Sequence, residues 1–405
     1  MSAGSLELVL LGGADAASLR GQLEDLRSLA STTSSVADLG GRLAVPPHED
    51  RSLRAALVAG SPEELLDRCE ALAAWLDEGV PDRLLAERGV ALGSAQDRPR
   101  IGFLFPGQGA PVPTDPGYLI DLLPDAASVY EQAGGLEVDG KVPPELVQLS
   151  VVTASVAGLR ALDALGIEAE FGLGHSVGEL TALHWGGVLD EEAVLRMARR
   201  RGEAMTKHAT AKGAMANIEA DEQTFSRLVE GADVTVACVN SPRHRVVSGT
   251  TEAVDAVVAR AHEDDGTTVV RLRVAGAFHS PLMREVAAVF DRDLSDENLG
   301  QLTRQVYSTI TGRELAPDAD LRDLLAHQMT QPVRFLEAAS AAVDGTHLLL
   351  EVGPGRMLST LVSEFADTAA VPLRVGHSSP QGLLTAVGAA YAVGAPVRTD
   401  RLRDA

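Results

Sequence analysis

No stretch constrains the fold more than residues 168–185. A strand-like run, Glu168–Leu173, meets Gly174-His175-Ser176-Val177-Gly178, and a helical run, Glu179–Trp185, follows at once. Gly-x-Ser-x-Gly between a strand and a helix reads as the tight turn that lifts a serine hydroxyl above a sheet. The flanking glycines let the backbone reverse sharply. The hydroxyl then sits at a helix N-terminus, where the dipole and free N–H groups favour a developing negative charge. A glycine turn with an N-cap serine would carry the same five letters, so the surrounding pattern has to decide.

That pattern is α/β. From Ile101 onward strands, glycine turns and helices alternate, which predicts a large domain with a mainly parallel sheet over 101–212 and 275–365. Residues 213–274 interrupt it. The periodicity predicts strands at 215–219, 234–240, 245–248 and 267–274, with helices after Asp221 and over 252–262. The order βαββαβ is that of a ferredoxin-like subdomain. Residues 1–98 form a small α/β unit of their own. It holds an apolar run at Leu6–Leu11, helical spacing at Leu19, Leu23, Leu26 and Ala30, and a strand at Leu53–Ala59. Ser61-Pro62-Glu63-Glu64 then supplies an N-cap, a first-turn proline and a capping-box glutamate. Cys69 lies on the buried stripe of the helix this opens, as a packed thiol. Gly93–Arg100 reads as a linker, and 366–405 as a strand, a helix and a C-terminal linker.

Composition removes whole classes of function. The chain has 405 residues, 45% of them hydrophobic, which suffices for a packed interior and exceeds one typical domain. With 35 basic and 57 acidic residues the net charge is −22, so nucleic acid is excluded as a main partner. There is no basic N-terminal region leading into a long apolar run, and no stretch of about 18 uninterrupted apolar residues. Neither a secretory signal nor a membrane partner is expected, and a cytoplasmic protein is. Cys69 and Cys238 are the two cysteines, without metal-ligand spacing or a disulfide framework.

A serine hydroxyl needs a base before it can act as a nucleophile. Among ten histidines, His279 lies in the small-residue segment Val274–Pro281, which permits close approach to the serine turn. His175 points away from a tight turn and has a positional role only. Arg201 shares a helical face with Val194, Met197, Ala198 and Met205, while Arg196, Arg199 and Arg200 fall on solvated flanks. An arginine on an apolar stripe must find an acceptor. A salt bridge to a buried acid, a snorkelling stem and a fork held for a substrate carboxylate would each satisfy it.

Further motifs join these in a fixed order. Phe103-Leu104-Phe105-Pro106-Gly107-Gln108-Gly109 precedes the Gly174–Glu179 turn; Arg199-Arg200-Arg201-Gly202 and Ala277-Phe278-His279 follow it. Gln328-Met329-Thr330-Gln331-Pro332-Val333 and Glu351-Val352-Gly353-Pro354-Gly355 complete the set. Together they resemble malonyl-CoA:acyl-carrier-protein transacylases and the acyltransferase domains of type I polyketide synthases. The interval of 25 residues from Ser176 to Arg201 is similar too, and residues 1–98 resemble the linker between a ketosynthase and its acyltransferase.

The resemblance implies an α/β-hydrolase-like large domain and assigns roles by motif. Ser176 matches the acyl-accepting nucleophile and His279 its general base. Gln108 and Val177 match the backbone N–H donors of the oxyanion hole. Arg201 matches the residue that grips the extender carboxylate. The Gln328 carbonyl matches the group that orients the catalytic histidine, so no third carboxylate is required. The implied substrate is malonyl-CoA, and the implied acceptor is the phosphopantetheine thiol of an acyl carrier protein. No permanently bound cofactor or metal is implied; the ketosynthase and other domains of the same synthase are the further partners.

Phe278 and Val177 resemble the malonyl-selective pattern, because a ring beside the base crowds the space of an α-methyl. One carbon in such a pocket is worth roughly 1–3 kcal/mol, about 10- to 200-fold. The wording Gly178–Trp185 resembles iterative synthases of the enediyne and polyunsaturated-fatty-acid type, and the 67-residue interval from Gly107 to Gly174 is shorter than in most relatives. Two alternatives share the serine turn: a serine esterase or thioesterase, and a docking module that leaves it unused. A hydrolase would be expected to bring a dedicated carboxylate in the order Ser…Asp/Glu…His.

Overall fold

The computed structural model describes residues 6–33, 35–36, 52–79, 82–209, 213–274 and 276–402. Near the N-terminus β1 (Glu7–Gly13), α1 (Ala16–Ala30), β2 (Leu53–Ala59), α2 (Pro62–Glu78), β3 (Arg83–Leu85) and β4 (Val90–Ser94) build an antiparallel sheet, order β1-β2-β4-β3, under two helices. Each helix starts where a side chain caps it: Asp15 accepts from the Ser18 N–H, and Ser61 from that of Glu64. Cys69 is fully buried, and burial pushes its thiol up to about 12. The expected linker at Gly93–Arg100 starts later than the composition suggests. β4 runs on to Ser94 because its pairing with β2 extends to Leu53 opposite Ser94.

The chain then enters β5 (Ile101–Phe105), crosses over through α3 (Val147–Ala164) and returns as the parallel β6 (Phe171–Gly174). It continues into α4 (Gly178–Trp185) and α5 (Glu191–His208). β7 (Gly213–Glu219), α6 (Glu222–Val229), β8 (Val234–Val239), β9 (His244–Thr250), α7 (Thr251–His262) and β10 (Thr268–Arg271) form the ferredoxin-like insertion, an antiparallel sheet of order β10-β7-β9-β8. The strand expected over 267–274 is only four residues long. Next come α8 (Arg284–Ser295), β11 (Gln305–Ser308), β12 (Arg313–Glu314), α9 (Leu321–His327), α10 (Phe335–Val343), β13 (Leu348–Glu351), α11 (Met357–Val362), β14 (Ala370–Pro372) and α12 (Gln381–Ala392).

The central sheet has six strands in the order β12-β11-β6-β5-β13-β14. Every neighbouring pair is parallel except β11 with β12. β5, β6 and β13 are buried throughout, which is why they read as continuous apolar runs without alternation. The segment Pro144–Ala164, which contains α3, is long and apolar enough to cross a bilayer by composition, yet 78% of its most apolar 18-residue window is buried inside the protein. Ser150, Thr153 and Ser155 interrupt its apolar run; the Thr153 and Ser155 hydroxyls donate to carbonyls one turn back, at 2.8 and 3.0 Å. It is a core helix, apolar all round because protein surrounds it.

Side-chain and backbone contacts seat the outer units. Glu87, beside β4, accepts from Arg374 and Arg356 of the central unit, and α12 packs across β1, β2 and β4. The insertion joins through β8: Val239 donates to the Val333 carbonyl at 2.9 Å and Val333 to that of Ala237 at 2.8 Å.

Candidate active site

β6 ends at Gly174 and α4 starts at Gly178, so the turn between them must be tight. Ser176 takes it with φ of 52°, a left-handed conformation that costs a non-glycine residue about 1–3 kcal/mol. The loop after β5 lies flush against this turn. A Cβ on Gly178 would fall 2.7 Å from the Pro106 carbonyl oxygen, and one on Gly107 would fall 2.6 Å from that of His175. Glycine at both positions therefore brings the Gln108 backbone alongside the serine. Among the described residues, the Gln108 and Val177 N–H groups have no protein acceptor. They are free donors beside a half-buried hydroxyl.

Ser176 Oγ lies 2.8 Å from His279 Nε2. On the far side of the ring, Nδ1 is 3.0 Å from the Gln328 carbonyl and 3.1 Å from that of Gln331. Carbonyls only accept, so Nδ1 carries the proton and Nε2 turns its lone pair to the serine hydroxyl, which donates to it. His279 also has a left-handed φ, 58°. Burial drives its pKa down to about 3; the Arg201 charge and His175 push the same way, against the two carbonyls. The resting imidazole is neutral, as a base must be.

Gln328 reaches further than its carbonyl. Its Nε2 donates to the Ser176 carbonyl at 2.9 Å and to Glu179 Oε2 at 3.2 Å. The Thr309 hydroxyl also bonds Glu179 Oε2, at 3.3 Å. Glu179 is fully buried, and burial pushes its pKa up to about 7; hydrogen bonds from Ser308, Gln328 and Thr309 and the charge of Arg201 pull the other way.

Arg201 is 1% exposed. Its Nη1 donates to Gln148 Oε1 at 2.6 Å, and Gln148 Nε2 donates to Gln108 Oε1 at 2.9 Å. Its Nε has no partner, and no described carboxylate stands within ion-pair distance. Burial lowers its pKa to about 10, with Glu179 opposing, so it stays cationic at neutral pH. The snorkelling and salt-bridge alternatives fail here; a buried fork with unused donors remains. The flanking arginines are less solvated than their spacing suggests. Arg196 pairs bidentately with Glu297 at 2.8 Å, and Arg199 donates to the Ala133 carbonyl.

His175 turns away from the serine, its Nε2 2.8 Å from Asn240 Oδ1 in the insertion. Phe278 is half-buried against two apolar clusters of the core. Ser176, His279, Gln108, Val177, Gln328, Arg201 and Phe278 thus belong to one neighbourhood. Sequence reasoning missed Gln148, Glu179 and Gln331. A glutamine inside the apolar α3 was a readable signal, and so was Gln331 before Pro332, since a residue preceding proline is pushed out of the helical region. Glu179 had none, because an acid in a first helical turn is commonplace.

The acyl transferase domain family matches residues 141–373. The polyketide synthase GfsB of Streptomyces halstedii is 33% identical over 95% of this chain, which spans only 7% of that synthase. The malonyl CoA-acyl carrier protein transacylase of Bacillus subtilis is 31% identical over 65% of this chain and 90% of its own length. Among solved structures, the acyltransferase domain of the iterative polyketide synthase in enediyne biosynthesis superimposes with a TM-score of 0.84. It has 36% identity and coverage of 98% of both chains.

Proposed function

The chain belongs to the acyl transferase domain family, and from that premise we propose that it loads a malonyl unit from malonyl-CoA onto an acyl carrier protein. The observation that carries this reading is the buried Arg201 fork, held by Gln148 with donors to spare, beside a Ser176–His279 pair. A hydrolase of simple esters has no use for a buried cation there.

The malonyl carboxylate docks on Arg201, which binds carboxylates as a planar fork. His279 Nε2 takes the Ser176 proton as Oγ attacks the thioester carbonyl. The charge that appears on His279 is stabilised by the Gln328 and Gln331 carbonyls that accept from Nδ1. The oxyanion accepts from the Gln108 and Val177 N–H groups, each donor of this kind being worth about 3 kcal/mol. The intermediate collapses, His279 returns the proton to the departing coenzyme A thiolate, and a malonyl-Ser176 ester remains. The carrier's phosphopantetheine thiol reverses the sequence: His279 takes its proton, sulfur attacks the ester, and Ser176 leaves protonated. No bound cofactor takes part. The partners are the carrier protein and, in a synthase, a ketosynthase joined through residues 1–98 as linker; residues 101–212 with 275–365, the insertion 213–274 and the segment 366–405 complete the division.

The test is intact-mass spectrometry of the protein mixed with malonyl-, methylmalonyl- and acetyl-CoA in competition, with Ser176→Ala as control. A malonyl adduct that vanishes in the variant supports the reading. Free malonate accumulating without transfer to a carrier would replace it with a thioesterase.

A further inference from the structure

Resting on the acyl-transfer reading, we propose that the cleft between α8 and α9 seats the phosphate at the distal end of the pantetheine arm through Arg284 and Arg322. The cleft has a volume of about 630 Å³, and its wall includes Pro281, Thr330 and Gln331. Pro281 lies two residues beyond His279, and the Gln331 carbonyl holds the His279 ring. The cleft therefore begins at the rim of the reaction centre, on the side of the base.

Its cations are uncommitted. This chain carries −22, and most of its described arginines are matched to carboxylates. Arg284 has no protein acceptor among the described residues, and Arg322 makes one long contact, 3.4 Å, with the Glu297 carbonyl. Three aspartates share the wall, and none lies within ion-pair distance of Arg284 or Arg322. Asp323 pairs with His327 at 3.1 Å, and Asp320 caps α9 by accepting from the Asp323 N–H at 3.0 Å. Asp291 is left, and it is not within ion-pair distance of either arginine. Ala287, Ala288 and Ala326 also line it, small enough to leave room for a methylene chain.

A phosphate ester fits this arrangement. Guanidinium forks bind phosphate oxygens bidentately, and a protein whose overall field repels anions needs local cations to hold one. The same chemistry is offered by the pyrophosphate of coenzyme A and by the phosphodiester that joins the arm to a carrier serine.

The test uses the full chain with Arg284→Ala/Arg322→Ala and, separately, Arg284→Glu. Three substrates are compared: malonyl-CoA, the phosphopantetheinylated carrier protein, and malonyl-pantetheine, which has no phosphate. The expected result is a rise of about five- to tenfold in KM for a phosphate-bearing substrate, larger for Arg284→Glu, at unchanged kcat, with the malonyl-pantetheine rate unaltered. The effect should shrink in high salt. A rise confined to malonyl-CoA assigns the cleft to the donor, one confined to the carrier assigns it to the acceptor, and either supports the proposal. KM values within twofold of the parent for both, or an equal rise with malonyl-pantetheine, overturn it. Failure of the parent protein to acylate Ser176 from any donor would instead sink the acyl-transfer reading.

Discussion

Gln328 grips Ser176 directly, its Nε2 donating to the serine carbonyl at 2.9 Å, while its own carbonyl stands 3.0 Å from the ring of His279. One residue therefore sets the distance between hydroxyl and base. What holds Gln328 in turn is Glu179, which accepts from the same Nε2. Glu179→Leu removes that acceptor and leaves one N–H of the buried amide unpaired, a loss of about 1–3 kcal/mol. Single-turnover acylation of Ser176 should slow by roughly 5- to 100-fold in a protein that keeps its circular dichroism spectrum. Acylation at the parental rate would show that Gln328 is held by the Ser176 carbonyl alone.

Two buried groups of the site, His279 and Glu179, bend stability with pH in opposite directions. His279 falls to about 3 when folded, from an ordinary 6.5, so between those values the unfolded chain binds the extra proton and stability rises with pH. Glu179 is raised to about 7, from 4.5, so between those values the folded chain holds the extra proton and stability falls as pH rises. From about pH 4.5 to 6.5 the two slopes, each at most about 1.4 kcal/mol per pH unit, oppose one another. Glu179→Gln removes the falling one. Its unfolding free energy, measured by urea denaturation, should then climb more steeply with pH across that window than in the parent. An unchanged slope would mean that Glu179 is ionised in the folded protein at acid pH.

Arg201→Ala separates substrate binding from structure. The fork is fully desolvated, so losing its contact with a carboxylate should lower malonyl transfer by roughly a hundredfold or more. Acetyl transfer, which has no carboxylate to bind, should stay at its slow basal rate. The readout is kcat/KM for each thioester. Equal loss of both activities would make Arg201 a support for Gln148 and Gln108, and nothing more.

How far the sequence reaches follows from what each feature depends on. The serine turn was legible because glycine at 107, 174 and 178 and the flanking apolar runs are local requirements of one backbone path. The α2 boundary was legible for the same reason, since Ser61 and Pro62 cap it within four residues. β3 was not, because three residues on a sheet edge cannot display alternation. The length of β4 was hidden too, as its last pairs depend on a partner strand some forty residues earlier. In the site, residues whose chemistry acts through a side chain on a helical face, such as Arg201, could be found by spacing. Gln331 acts through a carbonyl, and every residue carries one; Pro332 after it marks a non-helical backbone there, but that this carbonyl faces His279 is a property of the fold.

Phe278 offers the sharpest test of extender choice. The ring is half-buried and packs against two apolar clusters, and on the acyl-transfer reading it is the group that crowds an α-methyl. Phe278→Ser should open that space and raise the ratio of methylmalonyl to malonyl adducts on Ser176, with about 10- to 200-fold as the range one carbon can command. Removing a packed ring also costs stability, so Phe278→Leu is the companion: it keeps the packing, loses the flat edge, and should move the ratio less. Competition between the two thioesters, read by intact mass at low conversion, gives the ratio directly. If Phe278→Ser folds and the ratio stays at the parental value, the α-methyl is excluded elsewhere, and Val177 at the head of α4 becomes the residue to change.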